Sequence, residues 1–194
     1  MITVLQQSCE LPLLNKREIL RYAGVRGTAE EVESMLDNCI NEMMPSLMSG
    51  KVCWCKIGIE EARRISEIKT MLDSKSLSGH IDACREIVLF AATVGIEIDR
   101  AIARFNAISP VKALLASAIG SERIEALCDT FEDYLRNTGN EILPRFSPGY
   151  ADLPLECQRD IFALLDCSRQ IGLTLNQSMV MSPSKSVSAI IGIK

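Results

Sequence analysis

The sequence is poor in the residues on which many catalytic sites depend. It contains one histidine, His80, and aromatic residues make up only 5% of its 194 positions. No Ser–Asp partner set is evident around His80, which favours a surface or capping role for this residue over that of a general base. A histidine-dependent hydrolase therefore has little support.

An excess of basic charge and a long apolar run are also missing. The 21 lysines and arginines are scattered along the chain and are outnumbered by 25 acidic residues, so no phosphate-binding footprint is visible. The uncharged apolar stretch at 87–96 is about half as long as a bilayer span. The N-terminal MITVLQQSCELPLL is short and interrupted by polar residues, unlike a secretion leader. We expect a cytoplasmic protein that binds neither nucleic acid nor membrane.

Cysteine, in contrast, is plentiful, with eight residues. In a protein that is not secreted, buried reduced thiols are the default. One Cys-x-Cys pair, Cys53 and Cys55, together with a single histidine is a weak metal signal, so we predict no metal site. The alternation in VCWCKI places both thiols on one face of a strand, as core residues.

Length and composition are those of one globular domain. Hydrophobic residues make up 47% of the chain and charged residues 24%, which suits a single domain over 1–194 with a helical N-terminal portion over 1–50. Residues 1–14 fit either a short strand or an arm. Thr28 and Glu31 form a capping box for a helix whose apolar stripe runs to Met44, and Pro45 ends it.

The remaining elements follow from their periodicity. Alternation predicts a strand at 51–59, a continuous apolar run predicts a buried strand at 88–95, and 187–193 fits a central strand. Residues 60–72 fit a solvated helix or a hairpin partner, and the pattern leans to the hairpin. Further helices are predicted at 16–27, 74–87, 96–108, from Ser109-Pro110 onward, and at 155–172. Without strict β–α alternation, this order predicts an α+β fold, with an antiparallel or mixed sheet packed with amphipathic helices.

One turn near the C-terminal end has the composition of a small binding site. Arg145 lies two residues before Ser-Pro-Gly-Tyr, where Pro148 and Gly149 fit a tight turn. The backbone groups of such a turn, next to a planar guanidinium, could hold the carboxylate of a small zwitterion. A proline-bounded loop with a solvated or salt-bridged arginine fits the same residues. Glu125, Asp129, Glu132 and Asp133 lie off the apolar stripe of their helix, as a solvated acidic face would.

Several motifs together resemble one protein family. They are Arg145 with Pro-Gly-Tyr at 148–150, then Asp152, Pro154 and Leu155, Ser178-x-x-Met181, and Pro183 before Ser-Val-Ser at 186–188. This set is similar to the reactivation domain, which binds S-adenosylmethionine (AdoMet), of cobalamin-dependent methionine synthase. Residues 88–102 and 118–129 look like the stand-alone proteins related to that domain.

The resemblance implies roles for five residues. Arg145 would take the AdoMet carboxylate, the backbone at Ser147 and Gly149 would contact the ligand, and Tyr150 would lie at the reaction centre as the candidate catalytic residue. Glu125 matches a helical glutamate that interacts with the ligand, and it would meet the ligand's ammonium group from across a cleft. AdoMet would be the bound ligand, and a partner protein would supply cobalamin.

The resemblance also implies a function in a two-protein system. AdoMet would be presented to a cobalamin-dependent methionine synthase, or another corrinoid protein, so that inactive cob(II)alamin is methylated with an electron from a flavodoxin-like donor. Whether the chain itself counts as an enzyme is left open. Asn176-Gln177 replaces the family's Thr-Glu, and the sequence stops at Lys194 before a further family tyrosine. These departures keep a second function open, a non-catalytic corrinoid-protein partner that has lost productive AdoMet binding.

Overall fold

An antiparallel sheet of four strands organises the protein. The computed structural model describes residues 2–25, 27, 30–44 and 46–194. The sheet order is β1-β2-β3-β6, and two short strands, β4 and β5, pair separately. The strand bounds are β1 (Leu5–Glu10), β2 (Ser49–Gly58), β3 (Glu86–Thr93), β4 (Thr174–Leu175), β5 (Met181–Ser182) and β6 (Ser186–Ile193). The predicted α+β class with an antiparallel sheet is confirmed.

Helices lie between the strands along the chain. They are α1 (Lys16–Tyr22), α2 (Glu30–Met43), α3 (Ile59–Ala62), α4 (Ser66–Leu72), α5 (Lys75–His80), α6 (Ile96–Asn106), α7 (Pro110–Asn137), α8 (Cys157–Leu165) and α9 (Cys167–Ile171). None of the helices in the described part of the chain is long and apolar enough to cross a membrane. The predicted capping residue Thr28 and the predicted helix end at Pro45 lie outside the described residues.

Strands β2, β3 and β6 are buried on both faces over most of their length, and their successive side chains point alternately into two cores. On β2, Val52 and Trp54 join the core formed with α1, α2, α6 and α7. Cys53, Cys55 and Ile57 face the other way and join the core formed with α4, α5, α8 and α9. The prediction that Cys53 and Cys55 are core residues on one face is therefore confirmed, and all eight cysteines are buried free thiols.

The long helix α7 connects the first core to the site. The Ser109 side chain accepts a hydrogen bond from the Lys112 amide, and Pro110 begins the helix, as predicted. Gly120 lies where α7 meets α6, and a Cβ there would come within 2.7 Å of Ile98. The absence of a side chain at Gly120 therefore lets the two helices approach closely.

A buried ion pair on α7 holds the N-terminal segment in place. Arg123 is fully buried and pairs with Glu122 at 2.6 Å. Its guanidinium also donates to the carbonyl oxygens of Pro12, at 2.7 Å, and Leu47, at 3.4 Å. The Glu122 carboxylate accepts from the Asn15 amide at 3.0 Å. Three separate parts of the chain therefore meet at this pair.

The hairpin favoured for 60–72 is wrong. This segment forms α3 and α4, with Ala62, Ile68 and Met71 buried at helical spacing. A hairpin partner had no free edge to join, because β2 already pairs with β1 on one side and β3 on the other. The charged residues form the solvated helix face that was the alternative.

Three other sequence predictions need correction. The helix expected over 74–87 ends at His80, and Glu86 and Ile87 already belong to β3. The single helix expected over 155–172 is divided into α8 and α9 at Asp166, whose φ of +49° interrupts the helical backbone. The strand predicted at 187–193 ends the sheet order instead of lying at its centre. Its outer edge is nevertheless met by isolated bridges from Ile142 and Phe146, so its small and β-branched residues are buried as in a central strand.

Candidate functional site

The segment before the Ser-Pro-Gly-Tyr turn runs along the outer edge of β6. The Phe146 amide donates to the Ile190 carbonyl at 2.8 Å, and the Ile190 amide donates back at 2.9 Å. Phe146 packs into the core that contains α8. Its neighbour Arg145 points the other way, toward α7, as the alternation of an extended chain requires. The backbone pairing therefore fixes which side of the sheet receives the guanidinium.

The turn itself has the predicted tight geometry. Gly149 has a φ of +85°, and its amide donates to the Leu153 carbonyl at 2.9 Å, while the Tyr150 amide donates to Ser147 at 3.1 Å. Glycine adopts such a φ without steric cost. The ring of Tyr150 lies edge-on to Phe146, with centroids 5.3 Å apart, and the residue is 66% exposed. The Tyr150 ring is thus exposed to solvent while it packs against Phe146.

Asp152 anchors the far side of the turn. Its carboxylate accepts hydrogen bonds from the Ser74 hydroxyl at 2.5 Å and from the amides of Lys75 at 2.9 Å and Ser76 at 3.1 Å. These bonds, with the Ser74 hydroxyl first, lower the pKa of Asp152 to about 2. The turn is therefore fastened at the start of α5 by a carboxylate that stays ionised.

His80, at the end of α5, supports the same segment. Its Nε2 lies 2.8 Å from the Pro144 carbonyl oxygen, and its ring centroid is 5.5 Å from that of Phe146. His80 therefore packs beside the turn. No group of three or more potential metal-ligating side chains is assembled among the residues that the structure describes.

Arg145 lies against a row of carboxylates on α7. Its guanidinium is 2.5 Å from Glu125, 3.1 Å from Asp129 and 2.6 Å from Glu132. Positions 125, 129 and 132 fall on one face of the helix by their spacing. Glu132 is nearly buried, and its carboxylate also forms an ion pair with Arg136 at 3.0 Å. Of the five predicted site residues, the structure brings Arg145 and Glu125 into direct contact.

The electrostatic balance around Arg145 strongly favours its charged form. Burial by itself lowers the pKa of the guanidinium. The hydrogen bonds and negative charges of the surrounding groups outweigh that effect, so the pKa of Arg145 is raised overall. Since the side chain is still 23% exposed, a ligand can reach this cation from solvent.

Arg145 and Glu125 line one cavity, which we name the acidic groove. Its volume is about 410 Å³, within the range of small-molecule sites. Its lining consists of Pro12, Leu13, Asn15, Glu18, Tyr22, Glu122, Glu125, Ala126, Asp129, Thr130, Asp133 and Arg145. Arg145 is the one cation among the described lining residues. Ser147, Gly149 and Tyr150 belong to the adjacent turn and do not line the groove.

Two carboxylates with a direct role in this arrangement were assigned from sequence only to a solvated acidic face. Asp129 is largely exposed and fits that description, but Glu132 is 7% exposed and paired with two arginines. The spacing of 125, 129 and 132 on one helix face is the signal in the sequence that could have indicated a shared partner. Only the fold shows that the partner is Arg145.

Asn176 and Gln177, which depart from the family pattern, have a local structural role. The Asn176 side-chain oxygen accepts from the amides of Ser178 at 2.9 Å and Val180 at 3.0 Å. The Gln177 carbonyl accepts from Arg159 at 3.0 Å. Asn176 therefore closes the β4–β5 turn by the side-chain-to-backbone bonds typical of asparagine.

These features define a class of protein, an α+β domain with an acidic groove of small-molecule size around one arginine. A family model described as "Vitamin B12 dependent methionine synthase, activation domain" matches residues 76–194. Because this match covers more than half of the 194 residues, the chain belongs to that family. The family resemblance stated from the sequence motifs is confirmed.

A solved structure shares the fold over nearly the whole chain. It is the crystal structure of the MetH reactivation domain bound to AdoHcy, with a TM-score of 0.67 and 17% sequence identity. The alignment covers 98% of this chain and 78% of that one. At this identity the likeness establishes the fold, including that of the first 75 residues outside the family match. No curated protein matches the sequence.

Proposed function

We propose that the chain is a stand-alone reactivation domain that binds AdoMet in the acidic groove and presents its methyl group to a cobalamin held by another protein. The ion pair between Arg145 and Glu125 in the groove carries this proposal. Both residues fall within the family-matched segment. In this proposal residues 1–194 act as one domain, because β1 joins the sheet and the N-terminal segment forms one wall of the groove.

The ligand's amino-acid end matches the existing pair in charge. Near neutral pH it carries an ammonium and a carboxylate. The carboxylate would take the place of Glu125 on the fork of Arg145, a geometry suited to two parallel hydrogen bonds. Glu125 would then be free to accept from the ammonium. The zwitterion would thus insert between Arg145 and Glu125, and each of the four charged groups would have a partner of opposite charge.

The turn would position the other end of the ligand. The backbone at Ser147 and Gly149, in the turn next to the groove, would contact a ligand held by the Arg145 guanidinium. Tyr150, presented on Phe146, would shape the methyl-donating end. Bound AdoMet supplies an activated methyl group, and the residues of this chain contribute orientation.

The proposed partner is a cobalamin-dependent methionine synthase or another corrinoid protein, with a flavodoxin-like protein as electron donor. Support comes from the family, whose description places the domain in a vitamin B12-dependent methionine synthase. The protein would act in the cytoplasm, where such partners work. Exposed Tyr150 and its turn give the methyl end of a bound ligand an open approach from a docked protein.

A second candidate function is favoured by one observation. The Arg145 fork is already shared among three carboxylates, so a ligand carboxylate must compete for it. If that competition fails, the chain would be a corrinoid-protein partner that has lost productive AdoMet binding. The departure at Asn176-Gln177 agrees with this alternative.

Calorimetric titration with AdoMet separates the two functions. Wild-type protein should bind saturably, and Arg145→Ala should bind roughly 10- to 100-fold more weakly, since a hydrogen-bonded charge contributes about 1.5–3 kcal/mol. Arg145→Lys keeps the positive charge and loses the planar guanidinium, so its affinity for AdoMet should lie between those of the wild type and Arg145→Ala. Arg159→Ala removes an arginine outside the acidic groove and serves as the matched control.

The opposite results are equally informative. Unchanged AdoMet affinity in Arg145→Ala would reject the assigned site. Absence of binding by the wild type, combined with capture of a corrinoid protein, would establish the second function.

A further inference from the structure

The acidic groove carries more negative charge than the amino-acid end of a ligand needs. Five carboxylates line it, from Glu18, Glu122, Glu125, Asp129 and Asp133, against the single guanidinium of Arg145 among the described lining residues. A zwitterion alone would use one carboxylate and one cation. The groove therefore has more acids than a zwitterion alone would engage.

Neighbouring arginines compensate for only part of this charge. Arg21 pairs with Glu18, Arg123 with Glu122, and Arg136 with both Asp133 and Glu132. With Glu132 included, the described residues of the groove and its ion-pair partners comprise six carboxylates and four guanidiniums. The cluster thus keeps an excess of two negative charges. Asp129 and Asp133, one turn apart and each 69% exposed, present this excess to solvent.

We propose that Asp129 and Asp133 make the acidic groove selective for the sulfonium form of the ligand, AdoMet, over its demethylated thioether, AdoHcy. This inference rests on the function proposed above. The groove is defined as a site by Arg145, and the two aspartates set only its preference. AdoMet has one net positive charge, whereas AdoHcy is neutral overall, and the two share the same carboxylate, ammonium and adenosine groups.

The selectivity has a consequence for turnover. Donation of the methyl group to a reduced, nucleophilic cobalt held by the partner would break the S–CH3 bond of AdoMet and leave its electron pair on sulfur. The ligand thereby loses its net positive charge inside a negatively charged groove. Its attraction to Asp129 and Asp133 falls at that moment, which favours release of AdoHcy and its replacement by AdoMet.

The expected effect is modest, because both aspartates are exposed. Charges at this degree of exposure interact through a high effective dielectric constant and are screened by salt. We expect AdoMet to bind about three- to tenfold more tightly than AdoHcy at low salt. The double variant Asp129→Asn/Asp133→Asn should bring this ratio close to one. Selectivity should also shrink between about 0.01 M and about 0.15 M salt, as the Debye length falls from ~30 Å to ~8 Å.

The ratio of the two affinities is the informative quantity. Asp129 also contacts Arg145, so its neutralisation changes how well the guanidinium holds a ligand carboxylate. That change is common to AdoMet and AdoHcy and cancels in the ratio. Asp82→Asn, a neutralised exposed aspartate in a different cavity, is the matched control and should keep the wild-type ratio.

The experiment is calorimetric titration of the wild type, the double variant and the control with AdoMet, AdoHcy and sinefungin. Sinefungin replaces the methylated sulfonium by a carbon that bears a protonated amine, so it keeps the charge without the methyl sulfonium. Wild-type protein that prefers AdoMet and sinefungin over AdoHcy, with the preference lost in the double variant, supports the proposal.

Other outcomes overturn specific steps. Equal wild-type affinity for AdoMet and AdoHcy rejects the selectivity and leaves the proposed function standing. A selectivity that survives in the double variant rejects the role of the two aspartates. Failure of all three ligands to bind folded wild-type protein overturns the proposed function together with this inference.

Discussion

Replacing Arg123 by methionine should destabilise the protein strongly, because the side chain of this residue is fully buried. Its guanidinium is fully buried and is bonded to Glu122 and to the carbonyl oxygens of Pro12 and Leu47. Methionine fills much of the volume but removes the charge and the donors. Glu122, which is 6% exposed, would keep only the Asn15 amide among the partners described above.

The magnitude follows from the cost of an uncompensated buried charge. Breaking a buried ion pair by removing one partner costs about 3–5 kcal/mol. For a protein of this size that corresponds to a fall in Tm of roughly 6–20 °C. The double variant Glu122→Gln/Arg123→Met removes both charges, and an uncharged pair of similar size is often tolerated. It should therefore be more stable than Arg123→Met alone, although it has one more substitution.

Urea unfolding followed by circular dichroism measures these differences, and Arg21→Met is the control. Arg21 forms a solvent-exposed pair with Glu18, so its loss should cost no more than about 0.5 kcal/mol. The reasoning would be refuted if Arg123→Met were as stable as the control. It would also be refuted if the double variant were less stable than Arg123→Met.

Two further predictions concern the turn and the helix packing. Because the pKa of Asp152 is lowered to about 2, its contribution to the free energy of unfolding is complete above the unfolded value near 3.8 and is lost as the pH falls toward 2. Urea midpoints of Asp152→Asn and wild type should therefore differ most at pH 5 and converge near pH 2; a constant difference would contradict the assignment. Gly120→Ala should destabilise by about 1–3 kcal/mol through the 2.7 Å approach to Ile98, despite the better helix propensity of alanine. Gly79→Ala in α5, where a Cβ meets open space, is its control and should leave the urea midpoint unchanged or raised.

Elements with a strong local pattern could be predicted from the sequence. The strand at 51–59, the buried strand at 88–95 and the helix that begins at Ser109-Pro110 all appear near their expected positions. In each of them local pattern and tertiary environment agree, because apolar residues recur at the period of the element. The fold class followed from the order of these elements.

The errors arose where tertiary contacts decide the structure. Residues 60–72 carry charges compatible with a strand or a helix, and the choice depends on whether β2 has a free edge. The break at Asp166 requires a left-handed backbone conformation. Such a conformation is usually predicted from a glycine, and this position is an aspartate. β6 looks central because residues 142–146 cover its outer edge, and that contact is invisible in its own sequence.

The site shows the same division. Arg145 and the turn after it could be singled out because proline, glycine and arginine have strong local requirements. Glu125 was assigned to the same ligand through the family resemblance. Its contact with Arg145, 20 residues away in sequence, is evident only from the fold. The burial of Glu132 beside the same guanidinium could not be read from a helix face that looks solvated.

The acidic groove is built from two parts of the chain with different relationships to the family. Arg145, Glu125 and the other lining residues of α7 lie in the matched segment, whereas Pro12, Leu13, Asn15, Glu18 and Tyr22 lie before it. Glu122 and Arg123 join the two parts by holding the backbone at Pro12 and Asn15. In the proposed function, the recognition of a ligand carboxylate by Arg145 depends on the part of the groove that lies within the match. The other wall is formed by residues that precede the match, so the family model does not constrain its shape and charge, whereas Asp129 and Asp133, to which the preference for AdoMet is assigned, lie on α7 within the match.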